Sequence, residues 1–334
     1  MPTDIGVRPY SAGDESHTLA LWSAAMWADP IDSATWRTRY LLDPNFAAEE
    51  CLVAVDSRGG RVVGFVFGMT AKAGGEHRPQ RPDAWIVAFG VAEPYRRQGV
   101  ARALFDRLEA TWRAAGIGKV TVGPYIPSYV TPGVDELAYP EAVLFLQAWG
   151  AESLSRPLSM KASLTGYRPS EASLALVENL ESTGIRIRPA DPADILPLLQ
   201  FLDRHFAHWR PDAASVLAER YGSDPRAVTM HIAEEHGRII GYAQSRGERF
   251  GPFGVDETYR GRGIGAVLLS TTLLAMRARG FHCAGFLWTS DRAAKLYREH
   301  GFEEVRRFQL LAKTLTSQRM PKWPGTNRIN PASW

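Results

Sequence analysis

Apolar and polar positions along this chain follow two rhythms, one of period two and one of three to four, and the same succession of rhythms is written twice. In the later half, "GIRIRPA" alternates like a strand, and "ADILPLLQFLDRHF" and "DAASVLAERYG" repeat like helices. "VTMHIAEEHGRIIGYAQSRGE" reads as two strands turning at His236-Gly237. "FGPFGV" predicts a short strand, residues 264–279 a long helix, "HCAGFLW" a strand, and "DRAAKLYREHG" a helix stopped at Gly301. "EEVRRFQLLAKTL" supplies closing strand material. The earlier half keeps this order from Ile5 to about Leu164, with longer loops at 71–83 and 124–140.

Three signals carry the repeat. "IGVRP" at Ile5 returns as "IRIRP" at Ile185, an offset of 180. Arg96 and Arg260 match in two glycine-bearing turns at an offset of 164, and Gly150 matches Gly301 at 151. One order with shrinking offsets marks a duplicated domain that has lost loop residues, not a solenoid. The predicted organisation is an N-terminal domain 1–164, a linker 165–184 that is partly helical at "EASLALVENL", a C-terminal domain 185–316, and a polar, proline-rich tail 317–334.

Composition narrows the setting. At 334 residues, 45% apolar and 22% charged, the chain matches a soluble globular protein of two domains. No apolar run is long enough to span a bilayer, and the N-terminus lacks the order of a signal peptide. Two cysteines, Cys51 and Cys283, give neither a disulfide framework nor a metal cluster, so a cytoplasmic setting without a metal is expected. A net charge of +3 does not argue for nucleic acid. His205-x-x-His208 lacks the acidic partner and third ligand of a zinc site.

The candidate chemistry lies in the turns "YRGRGIGA" (259–266) and "YRRQGVAR" (95–102), each between a strand and a helix. Amides exposed where a helix begins hold phosphate, glycine removes the Cβ atoms that would block its approach, and arginines add charge-assisted bonds. Neither turn ends in the Gly-Lys-(Ser/Thr) of a P-loop. Gly261, Gly263 and Ala266 formally meet the dinucleotide pattern, but they do not follow the first strand of a βαβ unit and no acidic residue ends the next strand.

Arg260-x-x-Gly263-x-Gly265 and Arg96-x-x-Gly99-x-Ala101 instead resemble the (Arg/Gln)-x-x-Gly-x-(Gly/Ala) signature of the GNAT superfamily of N-acetyltransferases. "RAAKLYREHGFEEV" (292–305) is similar to that family's A-x-x-L-Y-x-x-x-G-F segment. The resemblance covers nearly the whole chain, once per copy. It implies two tandem GNAT folds of α/β class with a mixed sheet, in a layout similar to mycothiol synthase-like and amino-sugar acetyltransferases.

The resemblance further implies acetyl-CoA as cofactor. Amides from Gly261 through Arg262, Gly263, Ile264, Gly265 and Ala266 would cradle the diphosphate beside Arg260, and Phe253 and Val255 would pair with the pantetheine arm. In the first copy Arg96, Arg97, Gln98, Gly99, Val100, Ala101 and Arg102 would do the former, Phe89 and Val91 the latter.

Acyl transfer needs a proton for the departing thiolate and a neutral amine. Tyr297 stands at the family's tyrosine and is the candidate acid, whereas Leu146 stands opposite it in the first copy, with Phe145 beside it. Glu248 is the candidate base in the second copy and Asp83 the weaker one in the first, although a solvated edge carboxylate explains both equally well.

The second copy is therefore the expected catalyst, and the first either binds acetyl-CoA without turnover or shapes the acceptor pocket. Tyr125, Tyr129, Asp135 and Tyr139 of the long loop would grip a polar, ring-shaped acceptor or form a rigid cover. The expected activity is N-acetylation of a small-molecule primary amine, an amino sugar first among them, by direct transfer. The alternatives are a CoA-binding sensor or scaffold without turnover, or acetylation of a protein or peptide amine. A monomer (an internal pseudo-dimer) or a homodimer is expected, without nucleic-acid or membrane partners.

Overall fold

The computed structural model describes residues 4–71, 83–125, 128–222 and 225–315. Most of the 71–83 loop and the tail from 316 lie outside these residues. The described chain forms two compact units, one comprising residues up to Pro157 together with those from Arg307 onward, the other Leu158–Arg306.

The first unit contains β1 (Ile5–Pro9), α1 (Glu15–Ala25), α2 (Ser33–Trp36), β2 (Cys51–Asp56), β3 (Arg61–Thr70), β4 (Asp83–Val91), α3 (Val100–Ala114), β5 (Lys119–Val122), β6 (Val134–Asp135), α4 (Pro140–Trp149) and β7 (Glu152–Ser155). The second contains β8 (Leu158–Ser163), α5 (Glu171–Ser182), β9 (Ile185–Pro189), α6 (Ile195–His205), α7 (Arg210–Tyr221), β10 (Val228–Glu235), β11 (Arg238–Arg246), β12 (Arg249–Val255), α8 (Ile264–Ala278), β13 (Cys283–Thr289) and α9 (Asp291–Glu299). The last strand, β14 (Glu303–Thr314), contributes most of its length to the first unit.

Both units carry the mixed α/β fold that the sequence predicts. In the first, strands β1 to β5 lie in chain order and β14 then pairs with β5. In the second, β9 to β13 lie in chain order and β8 pairs with β13. Each unit thus closes its sheet with a strand that the duplication order alone would assign to the other copy. The β10–β11 hairpin turns at His236 (φ 50°) and Gly237 (φ 76°), the two left-handed residues a tight antiparallel hairpin requires.

Strand alternation sets a core on each face of the first sheet. Leu52 and Ala54 face α3 and α4, whereas Cys51 and Val53 face α1 and α2. Helix α3 turns one apolar stripe, Leu104, Phe105, Leu108 and Trp112, toward the sheet. Helix α8 serves two cores, burying Ile264, Val267 and Leu268 in one that Leu180 of α5 shares, and Leu269, Leu273 and Met276 in the other. Within the expected linker, then, "EASLALVENL" folds as part of α5 and packs on the second unit's core.

The copies also share polar supports. Arg8 meets both oxygens of Asp14 at 2.7 Å, and Arg188 meets those of Asp194 at 2.6 and 2.9 Å. His205 ends α6 while His208 lies in the next turn, so the two do not share a helical face. Among the described residues no helix is long and apolar enough to cross a membrane, and no cluster of three metal-type side chains occurs.

Candidate active site

In the second unit a short 3-10 turn, Glu257–Tyr259, leads into the glycine stretch. Gly261 (φ 80°) and Gly263 (φ 84°) are both left-handed, and Gly263 caps α8. This alternation of handedness curls successive amides around one concavity, a shape that receives anions. The first helical bond of α8 runs from Val267 N to Gly263 O at 3.2 Å. The amides of Ile264, Gly265 and Ala266 are therefore left outside the helix ladder. A Cβ built at Gly261 would have nothing within 4 Å, so the space there is open. Tyr259 anchors the turn from behind, its hydroxyl donating to Glu235 at 2.6 Å, and the Arg262 guanidinium lies 5.3 Å over the same ring.

The first unit repeats this backbone. Arg97 (φ 60°) stands where Gly261 does, and Gly99 (φ 83°) caps α3. Tyr95 repeats the anchor, donating to Asp56 at 2.7 Å. The first helical bond is Ala103 N to Gly99 O at 2.9 Å, which leaves the amides of Val100, Ala101 and Arg102 outside the ladder.

Beside each turn the sheet opens. β12 meets β13 only at Arg249 and Gly285, and Gly285 N donates to Glu248 O at 2.9 Å. Beyond that point the strands part. Because Asp256 N bonds to Ile240 O across the β11 edge, the alternating Phe253 and Val255 present their backbone groups to the outer edge. In the first unit β4 pairs with β5 from Asp83 to Ile86 and then parts, leaving Phe89 and Val91 facing outward by the same alternation. A register irregularity interrupts each of the two strands near this point. Gly90 and Gly254 let a helix end press onto the strand: a Cβ would lie 2.7 Å from the Ala25 Cβ in one copy and 2.6 Å from the Phe206 ring in the other.

Tyr297 lies between the parting strands. Its ring is 5.8 Å from Phe253 on β12 and 4.4 Å from Phe286 on β13, and the residue is 7% exposed. Burial pushes its phenol pKa far above the ordinary value. Among the described residues its hydroxyl has no hydrogen-bond partner. In the first unit Leu146 holds that position, fully buried, and Phe145 packs 5.9 Å from Phe89.

Glu248 is exposed and committed to β13. Its carboxylate accepts from the Cys283 thiol at 2.7 Å and from the amides of His282 and Cys283 at 3.0 and 3.1 Å. These bonds, the thiol's first, hold its pKa below the ordinary carboxylate range. At the start of β4, burial raises the pKa of Asp83.

The long-loop residues are engaged within the first unit. The Tyr125 hydroxyl donates to Asp43 at 2.7 Å and accepts from Asn45, and Asp135 accepts the amides of Leu137 and Ala138. Tyr139 caps α4, its hydroxyl donating to Asp29 at 2.8 Å and accepting from Ala28 N at 3.0 Å. Tyr129 lies in the irregular stretch between β5 and β6. The anchoring tyrosines, Tyr95 and Tyr259, carried no role in the sequence analysis, although the repeated Tyr-Arg pair at both turns was a visible signal; Arg97, expected at the first turn, is also left-handed. Trp209, whose ring reaches 3.0 Å from the Cβ position of Gly254, carried no pattern of its own.

Comparison with known families agrees with this geometry. Residues 226–304 match the profile described as an acetyltransferase (GNAT) domain, and residues 19–126 match that of the acetyltransferase (GNAT) family. The two matches take in more than half of the chain, which belongs to the GNAT acetyltransferases, a class of acyltransferase, and carries two such domains in tandem.

Among solved structures, it is similar to a GCN5-related glucosamine N-acetyltransferase region of a fungal multi-domain GH3 β-N-acetylglucosaminidase (TM-score 0.77, 19% identity, 94% of this chain). The match spans only 38% of that protein's length. It is also similar to a GCN5-related N-acetyltransferase from Sphaerobacter thermophilus (TM-score 0.66, 19% identity, 95% and 98% of the two chains). A third likeness is to a tandem GNAT protein from the clavulanic acid biosynthesis pathway (TM-score 0.61, 18% identity, 94% and 100%). A search of curated proteins finds no match.

Proposed function

We propose that the protein is an acetyl-CoA-dependent N-acetyltransferase whose second unit transfers the acetyl group directly to a primary amine of a small molecule. The observation that carries this reading is the conjunction, within that unit, of an open left-handed glycine turn, a free β12 edge and a buried phenol where the strands part. The residues fit the cofactor: three amides outside the α8 ladder with Arg260 and Arg262 suit a diphosphate, and the outward groups of Phe253 and Val255 suit an added strand of amides. When bound, acetyl-CoA supplies the acyl group as a thioester.

Tyr297 holds a proton at its Oη where the departing sulfur requires one, and burial among Phe250, Phe253, Phe286 and Phe302 keeps that phenol protonated. The same apolar walls exclude water from the thioester. Glu248, with its pKa depressed, takes up a proton poorly at neutral pH, so the reaction draws on acceptor amine that is already neutral. An amino sugar is the acceptor class named first, because the resemblance and the glucosamine N-acetyltransferase region among the neighbours point the same way.

The test is CoA thiol release from acetyl-CoA across a panel of amino sugars, polyamines and peptides. Release with an amino sugar and not with a peptide is expected. Tight CoA binding with no release for any amine would make the protein a sensor instead.

A further inference from the structure

We infer that the first unit's gap between β4 and β5 is barred from within by Tyr139, so that the chain takes up a single CoA although it carries two signature turns. The inference rests on the proposed CoA-binding reading. Tyr139 packs against the core on the α3 and α4 face of the sheet. Its hydroxyl nevertheless bonds to Asp29 (2.8 Å) and to Ala28 N (3.0 Å), in the loop that leaves α1 on the opposite face. A side chain can connect the two faces only through a break in the sheet or past the end of a strand. The first sheet has such a break beyond Ile86 and Val122, where β4 and β5 part, and we assign the crossing to it. The Trp27 ring meets the phenol edge-on at 6.3 Å and backs the bar.

A second contact occupies the strand edge itself. The Arg96 Nε donates to the carbonyl of Val91 at 3.1 Å, one of the outward groups along β4. An amide-bearing arm laid along that edge would have to displace Arg96 and also pass Tyr139.

Among the described residues the second unit has neither obstruction. Counting back from Gly150 and Gly301, Tyr139 corresponds to Ser290, whose hydroxyl turns inward to cap α9 by accepting from Ala293 N at 3.3 Å. The helix ends superpose in register, Met26 N on Trp22 O and Phe206 N on Leu202 O both at 2.7 Å, so Asp29 corresponds to Trp209. Arg260, the counterpart of Arg96, pairs with Glu257 at 3.1 Å and leaves Val255 alone.

Titration of the full chain with CoA, followed by calorimetry and native mass spectrometry, tests this. One equivalent is expected for the wild type. Tyr139→Ala should admit a second equivalent at least tenfold more tightly than any second binding to the wild type. Asp29→Ala, which removes an acceptor without touching the ring, should do so more weakly and guards against a Tyr139→Ala chain that fails to fold. Two equivalents in the wild type, or one in both folded variants, would overturn the inference. A single equivalent that survives Gly261→Glu would overturn it too, because the CoA would then sit in the first unit, while CoA binding by the chain stood. No binding in the wild type or either variant would remove this inference together with the proposed function.

Discussion

The turns at 96–101 and 260–265 have nearly the same backbone and different surroundings. Each has two left-handed residues two positions apart, the second of them capping the helix: Arg97 and Gly99 in one, Gly261 and Gly263 in the other. A non-glycine residue in that region costs of order 1 kcal/mol. The first unit retains the shape despite that cost, because Tyr95 and Tyr259 tie the turns to a carboxylate at the end of a strand two places away in the sheet. What differs lies next door: a phenol against a leucine between the parting strands, and a serine cap against a tyrosine bar. The two copies thus share fold and local backbone while differing in the side chains beside the turn, so a signature turn by itself does not identify occupancy.

The strongest way to break this comparison is to spoil one turn at a time. Gly261→Glu places a carboxylate in open space at the concavity proposed to hold the diphosphate, and in an unfavourable φ. A loss of at least 100-fold in kcat/KM for acetyl-CoA is expected, about 2.7 kcal/mol. An equal loss from Arg97→Glu, in steady-state kinetics on a folded chain, would erase the distinction between the units.

Removing the phenol proton sharpens the comparison at the chemical step. Tyr297→Phe keeps the ring packed against Phe286 and should lower kcat at least tenfold, about 1.4 kcal/mol, with CoA affinity within twofold. Because burial raises the phenol's pKa, the wild-type rate should show no loss from tyrosine ionisation up to the alkaline limit of the assay. Unchanged kcat in the variant would remove Tyr297 from the mechanism.

Much of this was legible in the sequence. The signature turns, Tyr297 opposite Leu146 and the hairpin at His236-Gly237 follow from local rules, because glycine placement and short apolar rhythms act over a few residues. The closing strands were not legible in that way. β8 alternates apolar and polar residues, which fixes a face without naming a neighbour, and β14 lacks even a regular alternation. Nor did the sequence reveal where Glu248 would aim, since its three donors lie where β13 begins, 34 and 35 residues further on. Tyr139 could be noticed as a tyrosine, but its reach to Asp29 spans 110 residues and depends on the gap between strands.

The polar supports of the two units should respond alike to acid. The Arg8 guanidinium beside Asp14 holds that carboxyl down to about 2, and Arg188 lowers that of Asp194 in the same way. A depressed carboxyl stabilises the fold above its unfolded pKa and loses that contribution as pH falls through the folded one. Arg8→Ala should therefore cost about 1 kcal/mol at pH 7, reduced by the exposure of the arginine, with the difference from wild type vanishing as pH falls from about 4 to 2. Chemical denaturation at several pH values reads this. A difference that persisted at pH 2 would mean that Arg8 acts by packing and not through its charge.

The smallest effect tests how far the two turns are interchangeable. Gly265 stands in the first turn of α8, where Ala101 stands in α3. A Cβ added there would meet Phe253 at 3.6 Å and Leu296 at 3.7 Å, ordinary contact distances, and its φ lies outside the left-handed region. Nothing steric therefore requires glycine, and an alanine in a helix loses less backbone entropy on folding. Gly265→Ala should raise stability by about 0.5–1 kcal/mol in urea denaturation. Destabilisation would mean that the second turn needs more backbone freedom than the first, so that their common shape would hide a difference in how each is held.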